Sequence, residues 1–323
     1  MADENFYSKR LSGAKRMLYD ECVKNIERGV YVTDFTLPLG ATFVSNEVFK
    51  AVMYGNPQFF YLDQTLTTKR AGLRVRLEFG CKYDNIADKK RALDAEISRI
   101  ASSVRICGST YDKLCKISAY LGDKIRGSNS DEPRYGDAYG ALVLGEARCE
   151  GYAKAAKLIM DKVGIRSDIA IGEAVKGGNR FMHAWNIAYV NDRAYGFDFT
   201  WNDNGDAGNV PGVCYLFLSD KDMHIEHFPE YDYAPCTDDG QTFWARNNGI
   251  VRNRADLADI RFGHAGKTVL AALRFENAQA MRELQGEAVD AALRLAAKLG
   301  RYSGVQYSVN DKLNVLTIYP TAK

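Results

Sequence analysis

Two strand-like runs meet at Asn191-Asp192, and the turn between them fixes more of this chain's geometry than any other stretch. From Phe181 to Val190, the residues His183, Trp185, Ile187 and Tyr189 alternate onto one face of a strand, and Arg193 to Thr200 returns. Asn and Asp tolerate the left-handed backbone that a two-residue hairpin turn needs, so Val190 is expected opposite Arg193. Counting along the ladder then places Asp198 opposite Trp185 and Thr200 opposite His183. His183 and Asp198 become diagonal neighbours on one face, roughly 7–8 Å apart at the backbone and within side-chain reach. The condition is an even-numbered loop, because a one-residue slip sends Asp198 to the other face.

A helix supplies the second constraint. Between positions 150 and 163 the small or apolar residues Tyr152, Ala155, Ala156, Leu158, Ile159 and Val163 recur at the spacing of one helical face, and Gly164 suits the residue just past its end. Gly145 and the loop before it mark the other boundary, so Cys149 is expected immediately before the helix, at or near its N-terminal cap. There the unpaired amides and the positive end of the helix dipole stabilise a thiolate, and the same amides could hold the oxyanion of a tetrahedral intermediate. Cys149, His183 and Asp198 therefore occur in an order and in settings that suit a thiol nucleophile, its base and an orienting carboxylate. Each has an ordinary explanation when taken singly. A free Cys is usually core, a His beside aromatics is usually structural, and an Asp on a strand often caps the next turn. Their shared order and parity favour chemistry.

The same residues carry a resemblance. The stretch from about 138 to 220 resembles the transglutaminase-like superfamily, papain-like thiol enzymes with Cys, His and Asp in that chain order. The matching pieces are DAYGALVLGEARCEGYAKA, HAWN at 183–186, DFTW at 198–201 and YLFLSD at 215–220, with NPQFFYL (56–62) and the helical segments ISRIASSV and YDKLCKISAYL upstream. The likeness covers roughly 45–235 and extends to bacterial transglutaminase-like proteins classed among cysteine proteases. It implies an α+β fold with a nucleophile-bearing helix packed on an antiparallel sheet that carries His and Asp. It further implies that Cys149 is the nucleophile, His183 the general base and acid, and Asp198 the orienting group. Tyr139, ten residues before Cys149, matches a position that is often aromatic in such proteins. It is expected to help an oxyanion hole or shape the acyl site, or else to be a core tyrosine.

Three regions are expected along the chain. Residues 1–45 read as a helix, with Leu11, Met17, Leu18, Cys22, Val23 and Ile26 on one side, and a strand near Val30–Phe35. Residues 46–250 form the catalytic core, including a strand at Leu73–Phe79 with one wet face and helices near 86–104 and 109–125. The polar loop 127–137 is read as a rim or lid, or a passive linker. Residues 251–323 read as a βαββ unit: a strand over Lys267–Phe275, a helix over Ala278–Leu299, and a hairpin of Val305–Val309 with Leu313–Tyr319 turned at Asn310-Asp311. Nothing in that unit suggests chemistry, so packing is its expected role, with partner or substrate binding as the lesser alternative.

Composition then excludes several classes. A net charge of +2 gives no case for nucleic acid or an acidic membrane surface. No apolar run approaches the ~18 residues that a bilayer span needs, and the N-terminus lacks a signal-type apolar stretch. The expected location is cytoplasmic, or secreted if an export signal has been trimmed away. The seven cysteines are odd in number and form no CxxC pair, which argues against a disulfide framework, a structural zinc site and the zinc-bearing peptide N-glycanase relatives. His224 and His227, three apart in DMHIEHF, could share a helix face and are read as surface residues. No metal, no calcium and no other cofactor is expected.

The expected activity is thiol-dependent amide hydrolysis through a thioester, as in a cysteine peptidase, on a peptide or protein substrate. Transfer of the acyl group to an amine, as in a transglutaminase, uses the same triad. Trp185 and Trp201 could line an acyl or amine tunnel, Trp185 being the better placed on the His183 face, or both could pack in the core. A peptide-binding scaffold that has lost catalysis is the reading from another class. Substrate identity and oligomeric state stay open.

Overall fold

The computed structural model describes residues 5–41, 45–203, 212–265 and 268–322. The chain is α+β, with helices and mostly antiparallel sheets. It divides into two compact units, Met1–Ser102 with Ile125–Ile169, and Ser103–Lys124 with Ala170–Lys323.

In the first unit, Asn5 caps the short helix Phe6–Arg10 through a reciprocal pair of bonds with Ser8. The helix Gly13–Glu27 buries Leu18, Tyr19, Cys22, Val23 and Ile26. Two residues expected on that face are not part of it: Met17 is 55% exposed, and Leu11 closes the preceding helix. A three-stranded sheet runs in the order Val32–Thr36, Arg74–Cys81, Leu62–Ala71. Its central strand buries Val75, Leu77 and Phe79 and turns Arg74, Arg76 and Glu78 away, the wet face its alternation predicts. The helix Ser45–Gly55 and the strand Leu62–Ala71 complete this layer; the strand is polar and mostly exposed, so no hydrophobic period announces it.

The stretch 127–137 is neither a free rim nor a slack linker. Arg126–Gly127 pairs in parallel with Glu146–Ala147, Pro133–Gly136 forms a 3-10 turn, and the Tyr135 carbonyl accepts a 2.7 Å bond from the Arg148 amide. The chain is thus stitched to the segment that enters the helix Cys149–Lys162. That helix ends at Val163, with Gly164 at φ +76°, as its sequence predicts.

The second unit holds a five-stranded sheet in the order His227–Pro229, Ser167–Lys176, Asn179–Val190, Arg193–Phe197, Leu216–Leu218. The hairpin register is the expected one, from Val190↔Arg193 to Asn186↔Phe197, with Asn191 and Asp192 at φ 49° and 62°. The strand Arg193–Phe197 is shorter than the run to Thr200 suggests, because Asp198 opens a turn. From His183 to Val190 almost every residue is buried, on both faces of the sheet. A second sheet comprises Ile250–Val251, Thr268–Phe275, Val315–Ala322 and Tyr302–Asn310, with Gly263–Ala265 alongside. Helix Ala278–Lys298 covers one side through Met281, Ala288 and Ala292. On the other side Leu270, Ala272, Val315 and Tyr319 join the core that contains Trp185 and Trp201. The expected turn at Asn310-Asp311 is corrected. Asn310 is still paired with Val315, and a four-residue loop, 311–314, connects the strands. The Asn310 side chain accepts from the Leu313 amide, and Asn314 takes the left-handed backbone.

Candidate active site

Cys149 belongs to the first unit. It is the first residue of its helix, one position later than the sequence suggests, and Arg148 at the N-cap is extended and makes no side-chain cap. Gly151, one turn in, is required by close packing: a Cβ there would lie 2.7 Å from the Ala147 Cβ and the Tyr135 carbonyl oxygen. The helix start is therefore pressed against the Tyr135–Asp137 segment. That segment is pinned by charge, since buried Asp137 pairs with Lys82 at 2.9 Å and accepts from the Tyr83 hydroxyl and the Gly140 amide. Glu150, next to the thiol, accepts from Tyr54 at 2.6 Å and from Gln64, with Arg148 at 3.5 Å. Burial would push the Glu150 carboxyl up, but Lys154, Tyr54 and Arg148 outweigh it and hold it below the usual range. The ionised Glu150 and its cations thus balance one another around the helix start. Lys154 is fully buried, and its ammonium donates to the Gly136 carbonyl at 3.0 Å.

His183 and Asp198 belong to the second unit, and here the structure brings them together. Asp198 is wholly buried, and its Oδ2 accepts from His183 Nε2 at 2.8 Å. Its Oδ1 accepts from the amides of Thr200 and Trp201, both at 3.0 Å. The carboxylate therefore caps the turn that ends the strand and also holds the imidazole. A further ligand, absent from the sequence reading, is His227, whose Nε2 lies 2.9 Å from the same Oδ2. Four N–H groups satisfy one carboxylate. Burial would raise the Asp198 carboxyl, but the two imidazoles overcome this and hold it far below the ordinary carboxylate range.

His227 corrects an expectation. It does not share a helix face with His224, because the helix Asp220–Met223 stops before either. His224 is exposed, whereas His227 lies on the edge strand His227–Pro229 and is 0% exposed. Only its place next to Phe228 and Pro229, in a short apolar run, could have signalled a buried strand.

The tryptophans flank this cluster. Trp201 lies 5.2 Å from the His183 ring and 4.5 Å from that of His227, and Trp185 lies 6.3 Å and 5.1 Å from the two. Both are buried in one core, and Trp185 also borders a cavity of about 200 Å³ with Ile187, Met223, Tyr231 and Tyr233. Tyr139, in the first unit, stacks on Phe60 at 5.4 Å and meets Tyr83 edge-on, so it serves as half-buried packing.

One donor atom from each of His183, Asp198 and His227 lies within 4.8 Å of the others, a spacing a metal ion could use. The donor chemistry does not fit one. Ligation through Nε2 would shift each ring proton to Nδ1, where a ligating imidazole needs an acceptor. The buried Nδ1 of His227 has no partner. With Nε2 protonated, both rings donate to the carboxylate, and the cluster is complete as a hydrogen-bonded set. Among the described residues no helix is long and apolar enough to cross a membrane.

No curated protein matches the chain in sequence. Among solved structures, a candidate cysteine protease from Cytophaga hutchinsonii is similar at 12% identity and TM-score 0.31, over 42% of this chain and 61% of that one. A structure described as a TGase is similar at 16% identity and TM-score 0.31, over 59% and 55%. A candidate protease from Parabacteroides distasonis follows at 10% identity and TM-score 0.25, over 51% and 39%. This chain therefore spans less than two thirds of the length of each. Residues 98–199, which include Cys149, His183 and Asp198, match the family model of the Transglutaminase-like superfamily.

Proposed function

We propose that the protein is a thiol-dependent amide hydrolase, a cysteine peptidase of the transglutaminase-like type, with Cys149 as nucleophile, His183 as general base and acid, and Asp198 as the group that orients His183. The observation that carries this reading is the 2.8 Å bond from His183 Nε2 to a carboxylate kept ionised by its surroundings. Such a carboxylate fixes the ring's tautomer and stabilises the imidazolium that forms during proton transfer. With Nε2 committed to Asp198, proton exchange with the thiol runs through Nδ1.

The steps follow. His183 takes the Cys149 proton, and the sulfur attacks the carbonyl carbon of a peptide or protein amide. The tetrahedral oxyanion collapses as the imidazolium protonates the departing amine, leaving a thioester on Cys149. Water, giving its proton to His183, then adds to the thioester; collapse releases the acid and returns the proton to the sulfur. An amine in place of water would give acyl transfer instead. Hydrolysis is preferred because it needs no acceptor pocket. Trp185, on the wall of the 200 Å³ cavity, is the aromatic best placed to shape the substrate site, with Trp201 in the same core 5.2 Å from the His183 ring. The packing of Tyr139 against Phe60 and Tyr83 favours a supporting role for it.

The test is site-resolved alkylation by iodoacetamide at pH 7, read by mass spectrometry. Exposed Cys81 is the ordinary reference, and buried Cys22 and half-buried Cys214, each pushed up to about 11 by desolvation, are the unreactive controls. Cys149 is expected to react faster than Cys81, and His183→Ala to remove that advantage. A Cys149 no faster than Cys81, or one indifferent to His183→Ala, would sink the catalytic reading in favour of a peptide-binding scaffold. Peptide digests with and without an added primary amine then separate hydrolysis from acyl transfer.

A further inference from the structure

The second imidazole on Asp198 is the feature that the proposed chemistry leaves over. His227 comes 29 residues after Asp198 in sequence and reaches it from the edge of the sheet, where His227–Pro229 pairs with Gly172–Ala174. The facing positions, Gly172 and Ala174, carry at most a methyl group. Gly172 can carry nothing more, since a Cβ there would lie 2.1 Å from the Phe228 carbonyl oxygen. Side chains this small leave room for an imidazole from the edge strand and another from the Asn179–Val190 strand to converge on one oxygen, their ring centroids 5.4 Å apart.

His227 is a poor choice if filling space were its whole task. It is 0% exposed and boxed by Trp201, Trp185 and Tyr215, and its Nδ1 is a buried polar atom without a partner. Buried polar atoms are nearly always paired, so an orphan marks a residue held for what its other atom does. That other atom, Nε2, donates to Asp198 Oδ2. The orphan also fixes the tautomer. With no acceptor at Nδ1, the neutral ring keeps its proton on Nε2, where it is used.

We propose that His227 is a positioning residue for the reaction inferred above, acting through Asp198 rather than on substrate. Two backbone amides fix Oδ1. His227 occupies Oδ2 beside His183, the two rings 5.4 Å apart, so the carboxylate is held against rotation and presents its remaining lone pair to His183 Nε2. His183 is thereby locked in the Nε2–H tautomer, with Nδ1 carrying the lone pair that receives the thiol proton. This inference rests on Cys149 and His183 acting together, and its test separates the two ideas.

The variants are His227→Gln, whose amide N–H can reach the carboxylate as Nε2–H does, and His227→Phe, which keeps the bulk and loses the donor. The readout is the rate of Cys149 alkylation by iodoacetamide relative to Cys81 in the same sample, beside His183→Ala. The expected result is a relative rate about tenfold lower in His227→Phe, the equivalent of one lost hydrogen bond, and recovery to within about threefold of wild type in His227→Gln. A relative rate in His227→Phe equal to wild type overturns the positioning role, as does an equal loss in both variants, which would mean packing alone. If His183→Ala leaves the relative rate unchanged, the underlying reading fails instead. Should His227→Phe not fold, long-range 1H–15N spectra of the wild-type imidazoles decide the matter: Nε2–H on both rings supports the proposal, and Nδ1–H on His227 overturns it.

Discussion

Replacing Asp198 with Asn keeps the side chain's shape and removes what four donors converge on. In the native protein, Oδ1 serves the amides of Thr200 and Trp201, and Oδ2 serves His183 and His227. Asn offers one oxygen and one NH2, so two of the four donors must face another donor whichever way the amide turns. With its oxygen on the backbone amides, both imidazoles must accept rather than donate, and their protons move to Nδ1. For His227 that proton arrives at an atom with no acceptor. Two charge-assisted bonds at about 1.5–3 kcal/mol each are lost, and one stranded donor costs about 1–3 kcal/mol more. Removing a buried charge returns part of this, so the net loss is about 3–5 kcal/mol. The assay is urea unfolding followed by tryptophan fluorescence, which suits this cluster because all three tryptophans lie in the surrounding core. The pH dependence is a second check. The native carboxyl is held below its unfolded value, so its contribution is present above that value, about 3.9, and is lost as pH falls toward the folded one. The gap between wild type and Asp198→Asn should be full at pH 6 and shrink steadily below pH 4. A gap under about 1 kcal/mol at pH 6, or one that does not narrow in acid, would refute the four-donor account.

Two further outcomes are expected. Gly151→Ala forces a methyl group against the Ala147 Cβ and the Tyr135 carbonyl oxygen, so thermal denaturation should show a loss of about 1–3 kcal/mol, with slower Cys149 alkylation as the helix start shifts; an unchanged melting temperature would mean that the contact relaxes freely. Asp238 accepts from the Tyr195 hydroxyl, the Gly240 amide and Arg193, which together push it down to about 2. Its stabilising effect is present above the unfolded value near 3.9 and is lost as pH falls through about 2, so Asp238→Asn should be less stable than wild type at pH 6 and nearly equal to it near pH 2, and equal stability at pH 6 would count against the network.

What the sequence made legible here was local geometry, and what it hid was convergence from distant strands. The Asn191-Asp192 turn could be read because two residues that accept positive φ sit between two runs of strand-forming residues, and that turn alone fixed the parity of His183 and Asp198. The Cys149 helix could be read because its face and its terminal glycine are both local signals. The same logic misled at Asn310, a turn-type residue that the strand retains because its side chain binds the Leu313 amide and the left-handed position falls at Asn314. It also misled at His227, where spacing from His224 mimicked one helical turn although the helix had ended at Met223. No local pattern ties His227 to Asp198, since their meeting depends on which strands neighbour each other in the sheet and on Gly172 and Ala174 opposite being small. The alternation of Phe181–Val190 assigned His183 and Trp185 to one face but not the dryness of the other, because core closes on both sides of that strand from His183 onward. That burial on both faces is what makes Asp198 consequential. A carboxylate among imidazoles near water would be a weak tether, whereas in this dry core the same four bonds hold the His183 ring in one orientation.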